Sequence, residues 1–443
     1  MATPYKIHLT VEDTGIVKNK EPTAESAAKA SELLQVNHDN FHIIFNEHGF
    51  HNHLAHQLLT LYGIGAPTSI LEAAYETNKG YQTPSAKLEE AIVEDMAHPG
   101  NFKKYLGRKK YHRDFLVFFQ KEMEAKGWEN VLNEYVFAGD ERADDMLVRM
   151  FAGLIHPLIH LGFGIEFNQP AIIAEALAQA AIHDNSIGDL LLPTEKAGKQ
   201  NGKIEVSLFD LLEQIQNDPS LKDAARWEDG NKILDGVMTR ARQEMIECAS
   251  TWTATPETLE RKTAEMINAA VYFTAGAQRP PKQVKFDFFY MHSVNSSIFF
   301  PVFNAQPWLS TENKIRLLQW KGYFDLTLYA SRGAPAPLLE DIVGYTPKDM
   351  EAGGGEWPGV LNRLMAFQDD GHAIKLGRAV KNADNYTSKY ENEPGFKIKG
   401  FMWEKIANMI IDSVEDTGDT WVRNAGFKEA WEDFEDKPRK TAL

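Results

Sequence analysis

The stretch Gly49–Tyr62, GFHNHLAHQLLTLY, constrains this chain more than any other. Read as a helix, it places Phe50, Leu54, Leu58 and Leu61 on one apolar stripe. His53, His56 and Thr60 then share a second stripe, because residues three and four apart are neighbours on a helix surface. A segment that is apolar on one side and imidazole-rich on the other belongs on the wall of an internal polar site. The spacing therefore predicts a helix over Gly49–Tyr62 facing other polar groups inside the fold.

Helical patterns dominate the rest of the chain. Residues 1–20 read as a strand or an arm, and Asn40–Phe45 as a short β-like run. Beyond residue 45 strand signals are scarce, and no repeat or low-complexity linker interrupts the helical segments. Residues 193–205 and the triple glycine of 351–356 read as loops, and the basic tail 437–443 as frayed. The expected fold is all-α: one large helical domain over 1–443, with a metal site between helices and a minor N-terminal β element.

Composition excludes several functions. Over 443 residues the net charge is −16, which argues against a sequence-independent nucleic-acid binder. The longest apolar stretch, Met146–Phe167, contains Arg149, His156, His160 and Glu166, and so does not read as a membrane span. Cys248 is the only cysteine, so multi-thiolate zinc sites are excluded and a reducing, cytoplasmic compartment fits. No nucleotide fingerprint, phosphate loop or nucleophile elbow is present.

Three further stretches carry candidate chemistry. His156-Pro-Leu-Ile-His160 puts two imidazoles at i and i+4. That spacing serves a helical metal pair or two hydrogen-bonded core histidines, and Pro157 between them can kink the helix. Asp287–Phe300, DFFYMHSVNSSIFF, sets His292 in an aromatic helix that suits a flat ligand or a packed core. In Gln368–Arg378, His372 and Lys375 are i and i+3. A buried lysine is costly unless paired or neutralised; it either points to solvent, pairs with Asp369 or Glu351, or reacts with CO₂ to give a carbamate. Imidazoles from separate helices build metal sites in helical interiors, and a mixed imidazole–carboxylate site with an open position suits iron and O₂. His183-Asp184 leaves a helical metal phosphohydrolase as a rival, alongside a non-catalytic helical binding protein.

FHNHLAHQLLTLYGIGA at 50–66, YETNKGYQTP at 75–84, HPLIHLGFGIEF at 156–167, DFFYMHSVNSSIF at 287–299 and DDGHAIKLGRA at 369–379 together resemble the questin oxidase-like family of fungal aromatic polyketide pathways. The resemblance runs over almost the whole chain. It implies oxidative opening of an anthraquinone or related planar aromatic, either by a non-haem Fe(II) dioxygenase using O₂ or by an NADPH-dependent Baeyer–Villiger-type oxidase. Carried over residue by residue, it implies His56, His160, His292 and His372 as metal ligands, with Lys375 as its carbamate. His53 and His156 are then catalytic groups that orient ligands or move protons, or substitutes in the ligand set.

Overall fold

The computed structural model describes every residue except 99, 201–205, 349–354 and 438–443. The protein is all-α. Among the described residues the only named strands are Phe286–Asp287 and Trp421–Val422, which pair in parallel. Residues 1–20 form an irregular arm with no strand. The β-like run at 40–45 amounts to isolated bridges, Phe41 to Pro84 and Ile44 to His51. Residues 193–200, expected as loop, continue the helix Gly188–Gln200, with Pro193 inside it. Residues 351–354 and most of the 437–443 tail lie outside the described residues.

The chain forms two compact units, each assembled from several stretches. The first comprises Met1–Gly188, Pro301–Asn313 and Met365–Arg378. The second comprises Asp189–Phe300, Lys314–Leu364 and Ala379–Leu443.

The centre of the first unit is the helix Pro170–Ile182, PAIIAEALAQAAI, in which every residue is buried. Proline at its first position needs no hydrogen-bonded N–H, and small alanines let neighbouring helices approach. Gly164 of the helix Ala152–Glu166 permits a close approach: a Cβ there would lie 2.7 Å from Ile173 Cγ1. The helix Ala24–Asn40 starts at a capping box, with Thr23 accepting from Ser26 N and Ser26 reciprocating. The helix Leu54–Gly63 is wholly buried.

The second unit contains the long helices Leu259–Gly276 and Met402–Val414. Asp287 is buried there and spends both carboxylate oxygens on backbone amides. Its Oδ1 accepts from Phe289 and Tyr290 N, and its Oδ2 from Ala425 N. It thereby fixes the start of the helix Tyr290–Ser297 that carries His292.

No single helix among the described residues is long and apolar enough to cross a membrane. Glu141–Met150 and Ala152–Glu166 pass that test only as a pair, and they are bent by 94°. In the first unit Glu166 and Arg378 form an ion pair with both side chains 1% exposed, and Glu166 Oε1 also accepts from Ile16 N. Removing one partner strands a buried charge. Glu166→Ala should therefore cost about 3–5 kcal/mol in urea unfolding, and the double change to two methionines should cost much less. A Glu166→Ala chain as stable as the native one would show that the pair carries no such penalty.

Candidate metal centre

The histidine helix starts later than its sequence pattern suggests. Leu54 is its first residue, and Asn52 Oδ1 caps the Leu54 N–H at 2.9 Å. His51 belongs to the bridge with Ile44, and His53 is the residue before the helix. Phe50, expected on the buried stripe, is 45% exposed. The polar asparagine and the strand-like pairing at 51 overrode the helical periodicity.

His53 and His56 nevertheless face His156 and His160 one for one. His53 Nε2 lies 2.9 Å from His156 Nε2, and His56 Nε2 lies 3.0 Å from His160 Nδ1. What aims His156 is a left-handed turn at Gly153, Leu154 and Ile155, with φ of 51°, 57° and 61°. Such conformations cost L-residues about 1–2 kcal/mol each, most for β-branched Ile155. The turn brings the Gly153 carbonyl back to accept from His156 Nδ1–H at 2.6 Å.

Those hydrogen bonds fix the tautomers, since carbonyl and carboxylate oxygens only accept. His156 has its proton on Nδ1. His53 Nδ1–H donates to Asp370 Oδ2 at 3.0 Å, and His372 Nδ1–H donates to Asp370 Oδ1 at 2.5 Å. All three rings therefore carry their lone pairs on Nε2. One ligand nitrogen from each of His53, His156 and His372 lies within 4.8 Å of the others, and all three residues are buried. Lone pairs facing at 2.9 Å repel unless a proton or a metal ion lies between them. A proton would create an imidazolium in a buried site that already holds Lys375, whereas a metal ion would use all three lone pairs. Backing of the imidazole N–H by carbonyl and carboxylate is the arrangement found behind metal-bound histidines. The residues present fit a divalent transition metal.

Electrostatics favour a neutral His53. Burial, with the Lys375 and His372 charges nearby, holds His53 down to about 3. Burial works against the Asp370 carboxylate, but its imidazole partners outweigh it and hold its pKa well below the usual range. Asp369 is pushed up to about 6 by burial and by Asp370 beside it. Burial lowers Lys375 to about 8, against the pull of Asp370 and Asp369, so a minor fraction of it is the neutral amine near physiological pH.

A second set adjoins the first. His160 Nε2–H donates to Glu175 Oε2 at 2.7 Å, and His38 Nδ1 donates to Glu175 Oε1. Burial raises Glu175, yet the two histidines bring it down to about 2. His56 is fully buried, stacks on Phe163 at 5.1 Å, and its Nδ1 has no hydrogen-bond partner among the described residues.

A sequence profile described as questin oxidase-like matches residues 50–380. The chain belongs to the questin oxidase-like family. It is 38% identical to a Baeyer–Villiger oxidase of Pestalotiopsis fici, over 97% of this chain and 98% of the relative. It is 34% identical to a questin oxidase of Aspergillus terreus, over 97% and 98%. It is 36% identical to an oxidoreductase of Aspergillus parasiticus, over 98% and 94%. Membership makes this chain an oxidoreductase.

Of the ligands that the questin oxidase-like motifs imply, His372 lies in the converging trio with His53 and His156. His56 and His160 form their own pair. His292 lies in the second unit, 1% exposed, with Nδ1–H donating to Phe288 O at 2.7 Å, which leaves the lone pair on Nε2. His183 Nε2 lies 2.8 Å from His51 Nε2, while Asp184 accepts from Ser186 N, so the two side chains of the HD dipeptide serve different partners. Asp370, Glu175, His38 and His51 were not among the sequence candidates. Glu175 had a signal: it is the one charged residue in an otherwise apolar and amide segment.

Gly153 permits this packing in two ways. It adopts a left-handed φ, and a Cβ there would lie 2.5 Å from His183 Cε1. Gly153→Ala should cost more than about 2 kcal/mol in urea unfolding, partly relieved by adding His183→Ala. An alanine chain as stable as the native one would mean that the turn is not required.

Proposed function

We propose that this protein is a non-haem iron dioxygenase that cleaves a C–C bond of an anthraquinone-type aromatic in secondary metabolism. The observation that carries the reading is the trio of buried imidazoles whose Nδ1 protons are all spent on oxygen acceptors and whose Nε2 lone pairs converge. Imidazole donors with carboxylate behind them and no thiolate suit Fe(II).

His372 belongs to two ligand sets. In one it joins His53 and His156, as their convergence supports. In the other, which the family motifs support, it joins His56, His160 and a carbamate on Lys375, with His292 as the motifs' further member. The second set draws support from the lone pair on His160 Nδ1. Bound iron supplies the binding and activation of O₂. The chain's own residues do the rest. In the second set His53 and His156 orient the substrate: His53, kept neutral with its Nδ1–H on Asp370, offers its Nε2 lone pair as a hydrogen-bond acceptor to a substrate hydroxyl. The Phe163 ring beside His56 gives a flat aromatic an apolar face and excludes water. A reduced anthraquinone is itself an electron donor, so the reaction as proposed draws no electrons from a nicotinamide.

Anaerobically purified protein should contain close to one iron per chain, and chelation should abolish ring cleavage. Less than about a tenth of an iron with activity intact would defeat the reading. His372→Ala should lose iron under either ligand set. His53→Ala loses it only under the first, and His160→Ala only under the second. Iron content in His292→Ala decides whether His292 belongs with the ligands.

Carbamate formation takes the neutral amine: the Lys375 nitrogen adds to CO₂ and a proton leaves. Since Lys375 is pulled down to about 8, the reactive form grows as pH rises through that value and fades below it. At fixed CO₂ pressure, ¹³CO₂ should give a carbamate ¹³C signal in metal-stripped protein that rises through about pH 8 and is missing in Lys375→Ala. Absence of the signal across that range would remove the carbamate from the ligand set.

A second reading, an NADPH-dependent Baeyer–Villiger oxidation of the same substrate class, draws on relatives named Baeyer–Villiger oxidase and Baeyer–Villiger monooxygenase. Stoichiometric NADPH consumption by the purified protein would favour it.

A further inference from the structure

Glu175 is an ionised carboxylate in the middle of a helix with no exposed residue, and each of its oxygens takes a different imidazole. Chemistry sets the direction of every hydrogen bond around it. Pro4 O only accepts, so it is the nitrogen of the Gln120 amide that faces it, at 2.9 Å. The same nitrogen lies 3.0 Å from His38 Nε2, which must therefore accept. His38 is left to donate from Nδ1 to Glu175 Oε1 at 2.5 Å. His160 donates from Nε2 to Glu175 Oε2, so its lone pair is on Nδ1, the atom facing His56 Nε2 at 3.0 Å. Gln120, His38 and Glu175 are each 4% exposed, and His160 and His56 are 0% exposed, so water does not compete for these bonds.

We propose that Glu175 is a positioning residue: clamped on its far side by His38 and Gln120, it sets the tautomer of His160 and through it that of His56, and so decides which nitrogen lone pairs these two rings offer a metal ion. The inference rests on the second ligand set described above. Its physical core is a mismatch between a carboxylate and an amide of the same shape. The carboxylate accepts twice, once from each histidine. In Glu175→Gln the amide accepts once and donates once. His38, held by Gln120, still requires an acceptor, so the amide N–H is left for His160. That forces the His160 proton onto Nδ1, where it donates to His56 Nε2, and the His56 proton moves to Nδ1. The charge-conserving swap of Gln120→Glu with Glu175→Gln reverses this. The carboxylate at 120 gives up the bond to Pro4 O and accepts from His38 Nε2–H, His38 Nδ1 accepts from the amide at 175, and the amide oxygen turns back to His160.

The test uses the full-length, metal-stripped protein with ¹⁵N-labelled histidine, reading ring protonation from two-bond ¹⁵N–¹H correlations. His160 and His56 should both carry the proton on Nε2 in the native chain, both on Nδ1 in Glu175→Gln, and both on Nε2 again in the swap. Anaerobic Fe(II) titration should show binding weakened about ten- to a hundredfold in Glu175→Gln and recovered in the swap. A native His56 protonated on Nδ1 overturns the inference with no substitution needed, as does a His160 tautomer that ignores Glu175→Gln. Inverted tautomers with unchanged Fe(II) affinity overturn the link from Glu175 to the metal. A native chain that binds no Fe(II) defeats the iron reading instead, while the tautomers still judge Glu175 separately.

Discussion

Asp370 takes an N–H from His53 on one oxygen and from His372 on the other. That one carboxylate ties residues more than three hundred positions apart in sequence and turns both rings the same way. With Gly153 O doing the same for His156, three lone pairs are committed to one small space. The electrostatic cost of that convergence is the constraint around which the first unit is built. Hydrogen bonds in a buried, low-dielectric site are strong when satisfied and costly when not, so partners held in this way set a unique arrangement.

Two carboxylates share the load, Glu175 buried and Asp370 half-buried. Asp370 serves the His53–His156–His372 trio and Glu175 serves the His56–His160 pair, each oxygen matched to a single imidazole. The helix Pro170–Ile182 delivers Glu175 because small residues around it let the neighbouring helices close. The left-handed turn before His156 delivers the other half, at the expense of backbone strain in Leu154 and Ile155. Strain of this kind persists only where surrounding packing overdetermines it, and here it coincides with the converging imidazoles.

The metal site we propose uses imidazoles and no thiolate, as suits a chain with one cysteine. Burial keeps His53 neutral, so its lone pair is available without a competing proton. Neighbouring Lys375 shares the same dry environment, which lowers its pKa and makes its amine chemically available.

The helical class was legible from periodicity, and the burial of the segments around His53–His56, His156–His160 and His372–Lys375 was legible from imidazoles set among apolar neighbours. Those patterns depend on residue type and spacing alone, which the sequence contains in full. The start of the histidine helix was not legible, because Asn52 and the pairing of Ile44 with His51 compete with helical periodicity through contacts made only after folding. Nor was the pairing of rings. His53 meets His156, and His56 meets His160, because the fold, with a left-handed turn before His156, brings them face to face. Which nitrogen of each ring carries the proton was decided last, by whichever oxygen the folded chain set beside it; residue identity leaves the two tautomers of an imidazole close in energy, and only a neighbour in space separates them.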